Sequence, residues 1–123
     1  MSRRKLIPDE THPITVRPTP GRVRVVVGET VIAESDSSLT LEEASYAPVQ
    51  YVPLADIDPA ALTRTETSTY CPFKGDASYY SVSTPEGTVV DAGWTYDEAY
   101  EAVAGITGHV AFYPDRATVT VER

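Results

Sequence analysis

Period-two alternation of apolar and polar residues dominates the chain beyond its first dozen positions. "RVRVVVG" sets Arg22 and Arg24 against Val23 and Val25, reaches Gly28-Glu29, and is followed at once by "TVIAES". Such alternation predicts half-buried strands. Residues 22 to 34 therefore read as a hairpin with Val23, Val25 and Val27 turned inward. "SLTLEEA" predicts a third strand with Leu39 and Leu41 on one face. "VQYV" lies between Pro48 and Pro53, and proline confines such a piece to a sheet edge or a strand end.

The same pattern continues downstream. "TRTETSTY" is rich in β-branched threonine, and "ASYYSVST" leads through a Pro85-Glu86-Gly87 turn into "TVVDAGW". "HVAFY" and "ATVTVE" close the chain across a Pro114-Asp115 turn. Two segments predict helix instead. In "ADIDPAAL", Asp58 suits an N-cap and Pro59 the first helical position, where its missing N–H loses nothing. In "TYDEAYEAVAG", Thr95 and Glu98 form a Thr-x-x-Glu capping box and Gly105 offers a left-handed C′ residue. Its apolar stripe is Ala99, Ala102, Val103 and Ile106. The expected class is mainly β: a compact single domain of about eight short antiparallel strands, rolled or in two packed sheets, with one or two short helices. Residues 1 to 13 are expected as an irregular lead-in and 14 to 123 as the single β-rich domain.

Composition adds exclusions. The 123 residues are one domain's worth, 41% hydrophobic and 23% charged, and no apolar run approaches the length of a membrane span. A net charge of −8 argues against a nucleic-acid partner, because a polyanion needs a basic stripe. Arg3-Arg4-Lys5 reads as a solvated, frayed end. A single cysteine rules out an internal disulfide and every multi-cysteine zinc arrangement. Arg3-Arg4-Lys5 runs into Leu6-Ile7-Pro8 rather than an apolar signal core, so a cytoplasmic location is expected. No metal, cofactor or membrane association is expected.

The candidate chemistry gathers in "TYCPFKGDASYYSV". Pro72 presets the second position of a β-turn and Gly75 supplies a backbone conformation other residues disfavour. The turn holds Cys71 at its base and Lys74 on its far limb. A nearby ammonium would favour the thiolate of Cys71, making Cys71 and Lys74 the catalytic candidates; the alternative is a small buried thiol. Tyr79 and Tyr80 are adjacent and so face opposite sides of the sheet. Trp94 and Tyr96 can share a face, as can His109, Ala111 and Tyr113, and Ala111 leaves space between the rings beside it. These residues make either a ligand-binding wall or a core near a sheet edge.

Taken together, "RVRVVVGETVIAES", "YAPVQYVPLADID", "CPFKGDASYYSV", "AGWTY" and "ITGHVAFYPDRATVTVE" resemble the bacterial family known as domain of unknown function 427 (DUF427), over about residues 20 to 122. Phe73 stands where tyrosine is usual, Gly93 intervenes between Ala92 and Trp94, and Tyr-Asp-Glu-Ala-Tyr follows Trp94 in place of a more proline-rich turn. The resemblance implies a compact β-rich domain, similar in outline to small barrel-like or tent-like sheets with a central groove. It implies no established reaction. A nucleotidyltransferase-like label attached to the family would require a Gly-Ser and an Asp-x-Asp. Asp56-Ile-Asp58 supplies the second, but no Gly-Ser precedes it and Asp58 is accounted for as a helix cap.

The leading expectation is a small-molecule-binding domain. Lys74 would meet an anionic group, Tyr80, Trp94 and Tyr51 would supply aromatic walls, and Glu43 or His109 a polar counterpart. Two alternatives stand beside it. One is a small enzyme using Cys71 as nucleophile or Lys74 as catalytic amine. The other is a structural or interaction domain without a cavity.

Overall fold

A computed structural model describes residues 4–123. Among the described residues ten strands fold into two antiparallel sheets. In chain order they are β1 (Ile14–Pro18), β2 (Arg22–Val27), β3 (Thr30–Ser35), β4 (Leu39–Glu43) and β5 (Val49–Pro53). There follow β6 (Leu62–Cys71), β7 (Gly75–Thr84), β8 (Gly87–Tyr96), β9 (His109–Phe112) and β10 (Thr118–Glu122). The larger sheet has the order β1-β4-β5-β9-β8-β7-β6 and the smaller β10-β2-β3. With β1 and β6 at its edges the larger sheet is open, so the domain is not a closed barrel.

Alternation fixes which face each residue takes. Val23, Val25 and Val27 of β2 point away from solvent and meet Val52, Val82, Ala92, Val110 and Phe112 of the larger sheet. This inter-sheet core excludes water almost completely: Val23, Val25, Val52, Val82 and Val110 are fully buried. The opposite face of the larger sheet carries a second cluster around Leu41, Tyr51, Tyr79, Tyr96 and Ala111. Val103 and Ile106, from the segment between β8 and β9, close one end of it. The functional question lies on this second, aromatic face.

The helix expected over 95 to 105 does not form. β8 extends through Thr95 and Tyr96, and only a 3₁₀ segment, Glu101–Ile106, follows, kinked at Val103. Tertiary pairing overrides the local capping signal. Thr95 sits opposite Val110 in the β8–β9 ladder and its hydroxyl donates to the carbonyl of His109 at 2.7 Å. Of the expected stripe, Val103 and Ile106 are buried, Ala99 is half-buried against the same cluster and Ala102 is exposed. At the other candidate, Asp58 does cap: its carboxylate accepts from the Ala60 N–H at 3.0 Å, at the head of a single 3₁₀ turn, Pro59–Ala61. Asp56 accepts a hydrogen bond from the Ser35 hydroxyl at 2.5 Å.

The segment before β1 is irregular and lies along the Cys71–Lys74 corner. Leu6 donates its backbone N–H to Pro72, and the Tyr70 hydroxyl donates to the carbonyl of Arg4. Arg3 of the expected frayed end lies outside the described residues. Lys5 contacts Glu101 at 2.8 Å and lies over the Tyr100 ring.

Candidate functional site

The corner between β6 and β7 aims the site. Lys74 donates its backbone N–H to Cys71 at 3.2 Å, closing a β-turn, and Gly75 continues at φ 108°. Proline at its second position pre-sets that turn. The chain reversal sends the Lys74 side chain inward, leaving the residue only 8% exposed. Its Nζ stands 2.5 Å from Oε1 of Glu43 and 3.7 Å from Sγ of Cys71. Glu43, the last residue of β4, meets Nε2 of His12 at 2.8 Å through its other oxygen. The His12 ring lies flat on Phe73, centroids 4.3 Å apart. Four side chains from three parts of the sequence thus run in a row: His12, Glu43, Lys74, Cys71.

Burial by itself would push the Glu43 carboxyl up. The hydrogen bonds from Lys74 and then His12, with their charges, outweigh it and hold that carboxyl below the usual carboxylate range. Glu43 therefore stands as a carboxylate.

Beside it opens a cavity of about 270 Å³. Tyr51, Tyr79, Trp94, Tyr96 and Tyr113 wall it, Leu41 and Val49 complete the lining, and Tyr46 stands at its rim. The hollow exists because Trp94 is paired with Ala111, whose methyl group leaves the space above β9 open. The hydroxyls divide into two sets. Tyr113 donates to Tyr79 at 3.3 Å, and Tyr79 also contacts the Thr69 hydroxyl at 2.9 Å. Tyr51 accepts from the indole N–H of Trp94 at 3.2 Å, which leaves its own proton to donate. Tyr96, 5% exposed, has no hydrogen-bond partner for its hydroxyl among the described residues. Burial pushes Tyr51 and Tyr96 far above the ordinary phenol range, and burial first, then the bond to Tyr79, pushes Tyr113 up to about 12. All three are neutral donors at physiological pH.

Four expected site residues therefore come together: Lys74, Glu43, Tyr51 and Trp94. Two do not. Tyr80 points to the other side of the sheet, against the inter-sheet core, with the Arg64 guanidinium 5.5 Å from its ring centroid. Period two gives the cavity to Tyr79 instead. His109 opens β9 opposite Pro53, and its Nδ1 lies 3.1 Å from the Thr107 carbonyl, away from the cavity lining. Cys71 stands behind Lys74 rather than in the cavity wall. His12 and Tyr46 went unforeseen. His12 reaches Glu43 from the irregular lead-in, 31 residues away, and no local pattern announces such a contact. Among the described residues no three His, Cys, Asp or Glu side chains converge as a cation site.

Fold and site together define a two-sheet β domain carrying a ring-lined hollow with a buried ion pair on the outer face of its larger sheet. The chain belongs to the family described as "Domain of unknown function (DUF427)", whose model matches residues 15–123. No curated protein matches it.

Proposed function

We propose that the protein binds a small anionic molecule in the tyrosine- and tryptophan-lined cavity, with Lys74 contacting the anionic group. One observation carries this reading: the polar groups facing the cavity keep unspent donors. Lys74 has an N–H beyond those directed to Glu43 and Cys71, and Tyr51 and Tyr96 each hold a free O–H. The one carboxylate in the lining has an oxygen committed to Lys74 and the other to His12. Donors converging beside a carboxylate that is already paired are complementary to a ligand oxyanion. The volume, near the lower end of the roughly 300–1,000 Å³ of ligand pockets, suits a metabolite rather than a nucleotide.

The test is a thermal-shift screen of metabolite anions and matched amines against the intact protein and Lys74→Met. A ligand at about 100 times its Kd adds about 2.7 kcal/mol of stability, several degrees in Tm for a domain of this size. Stabilisation by amines and not by anions would overturn the reading.

A second reading rests on the 3.7 Å contact between Cys71 and Lys74: a small enzyme with Cys71 as nucleophile or Lys74 as amine. Rapid stoichiometric alkylation of Cys71 at neutral pH, blocked by a cavity ligand, would favour it. We further propose a bacterial, cytoplasmic setting, supported by the free Cys71 thiol, which suits a reducing compartment. Among the described residues no helix is long and apolar enough to cross a membrane.

A further inference from the structure

The larger sheet is split between β5 and β9. These strands pair only at Val52–Val110 and Pro53–His109, and beyond Tyr51 and Ala111 no ladder joins them. Trp94 reaches across this gap from its place beside Ala111 and ties its indole N–H to the Tyr51 hydroxyl. A second cavity, of about 450 Å³, opens at the same gap. Pro48, Phe112, Ala117 and Val119 line it, and Trp94 and Val49 line both cavities. Phe112 and Ala117 belong to the inter-sheet core, whereas Tyr51 and Tyr96 belong to the opposite aromatic face. The two hollows therefore adjoin across Trp94 and Val49, which wall both.

Their chemistries differ in a directed way. The first hollow presents donors; the second presents carbon. Of the polar side chains around the second, Gln50 is bonded to Thr40 and Thr19, and Thr118 lies exposed at its border. A junction walled by two side chains, where the β5–β9 pairing ends, suits an extended chain rather than a fused ring system.

We propose that the two cavities form one elongated site for a linear carboxylate, its head group on Lys74, Tyr51 and Tyr96 and its alkyl chain running past Trp94 into the second hollow. This rests on the anion-binding reading above and names its ligand class. Buried methylenes should then strengthen binding in regular steps.

Titration calorimetry with n-alkyl carboxylates from butanoate to decanoate, each below its micellar concentration, tests the idea on the full chain. Affinity is expected to rise about fourfold per added methylene until the second cavity is filled. Thr118→Trp, a substitution at an exposed strand position on the rim of that cavity, should leave butanoate binding unchanged and abolish the increments. A chain-length series that stays flat while butanoate binds would overturn the elongated site and leave the anion reading standing. Decanoate binding that is unmoved by Thr118→Trp would overturn it equally. Failure of every carboxylate to bind would remove both readings. Decylamine binding as tightly as decanoate would sink the assignment of the head group.

Discussion

The Lys74 ammonium lies 2.5 Å from Oε1 of Glu43, and both side chains are nearly withdrawn from water, 10% and 15% exposed. A pair this sheltered is held by mutual dependence: each ion is tolerable only while the other remains. Replacing Lys74 by Met should therefore cost about 3–5 kcal/mol, because Glu43 is left charged in a ring-lined hollow. His12 on its other oxygen pulls the cost toward the lower figure. Lys74→Met combined with Glu43→Gln should recover most of that loss. Urea unfolding of the two variants decides the matter; equal midpoints would mean that the ions are uncoupled.

The same pair sets an acid limit. Glu43 titrates below its ordinary value of 4.5 in the folded state. On acidification the unfolded chain takes up that proton first, so stability rises with pH across the interval. The contribution is fully present above about pH 4.5 and is lost as pH falls through the lowered folded value. Other carboxylates, half-buried Asp91 and exposed Glu86 among them, are also lowered, so the wild-type curve is a composite. The informative quantity is the difference between wild type and Glu43→Gln in urea midpoint. It should shrink as pH falls below 4.5. A difference independent of pH would show that Glu43 takes up its proton alike in the folded and the unfolded chain.

Gly93 is the residue that lets β8 and β9 close over the core. A Cβ built there would stand 2.8 Å from the Ala111 carbonyl oxygen and 3.1 Å from carbons of Phe112 and Val110. Backbone cannot yield as a flexible side chain does, so Gly93→Ala should cost about 1–3 kcal/mol. Because Trp94 is next in the strand, the shift should also reach the cavity. Denaturation measures the first effect, and a change in Trp94 fluorescence, the chain's one tryptophan, the second. A variant with wild-type stability and spectrum would contradict the close approach.

What the sequence makes legible follows the range of the forces involved. Val23, Val25 and Val27 announce their face because one-sided burial imposes period two on the string itself. The Cys71–Lys74 corner is equally plain, since Pro72 and Gly75 dictate backbone geometry locally. Thr95 and Glu98 mislead for the converse reason: their capping box is local, and a carbonyl of β9 claims the threonine hydroxyl instead. Tyr79 and Tyr80 are told apart only by which face receives the second sheet, a matter settled far away along the chain. His12 is invisible altogether, because its stack on Phe73 and its bond to Glu43 are both long-range.

His12 offers a way to separate stacking from charge. His12→Phe retains a flat ring against Phe73 but removes the bond to Glu43; His12→Ala removes both. The stack should be worth about 0.5–1.5 kcal/mol, read as the difference between the two variants. Loss of the bond should cost about 1 kcal/mol or somewhat more in each, the site being partly open to water. Chemical denaturation at pH 7 provides both values. Indistinguishable variants would mean that the ring serves only to carry its nitrogen.

Tyr96 provides the sharpest separation of binding from folding. Its hydroxyl opens on the cavity with no protein partner among the described residues, so in the free protein only solvent meets it. Tyr96→Phe removes that hydroxyl and keeps the ring, so stability should hold or rise by up to about 1 kcal/mol. A bound carboxylate would lose a hydrogen bond to a charged acceptor, worth about 1.5 kcal/mol or more, and its Kd should weaken about tenfold. Unimpaired stability beside weakened binding is the mark of a group kept for a ligand. If denaturation shows Tyr96→Phe to be destabilised while butanoate affinity is unchanged, the hydroxyl is serving the fold through water and the hollow loses its strongest claim to be a binding site.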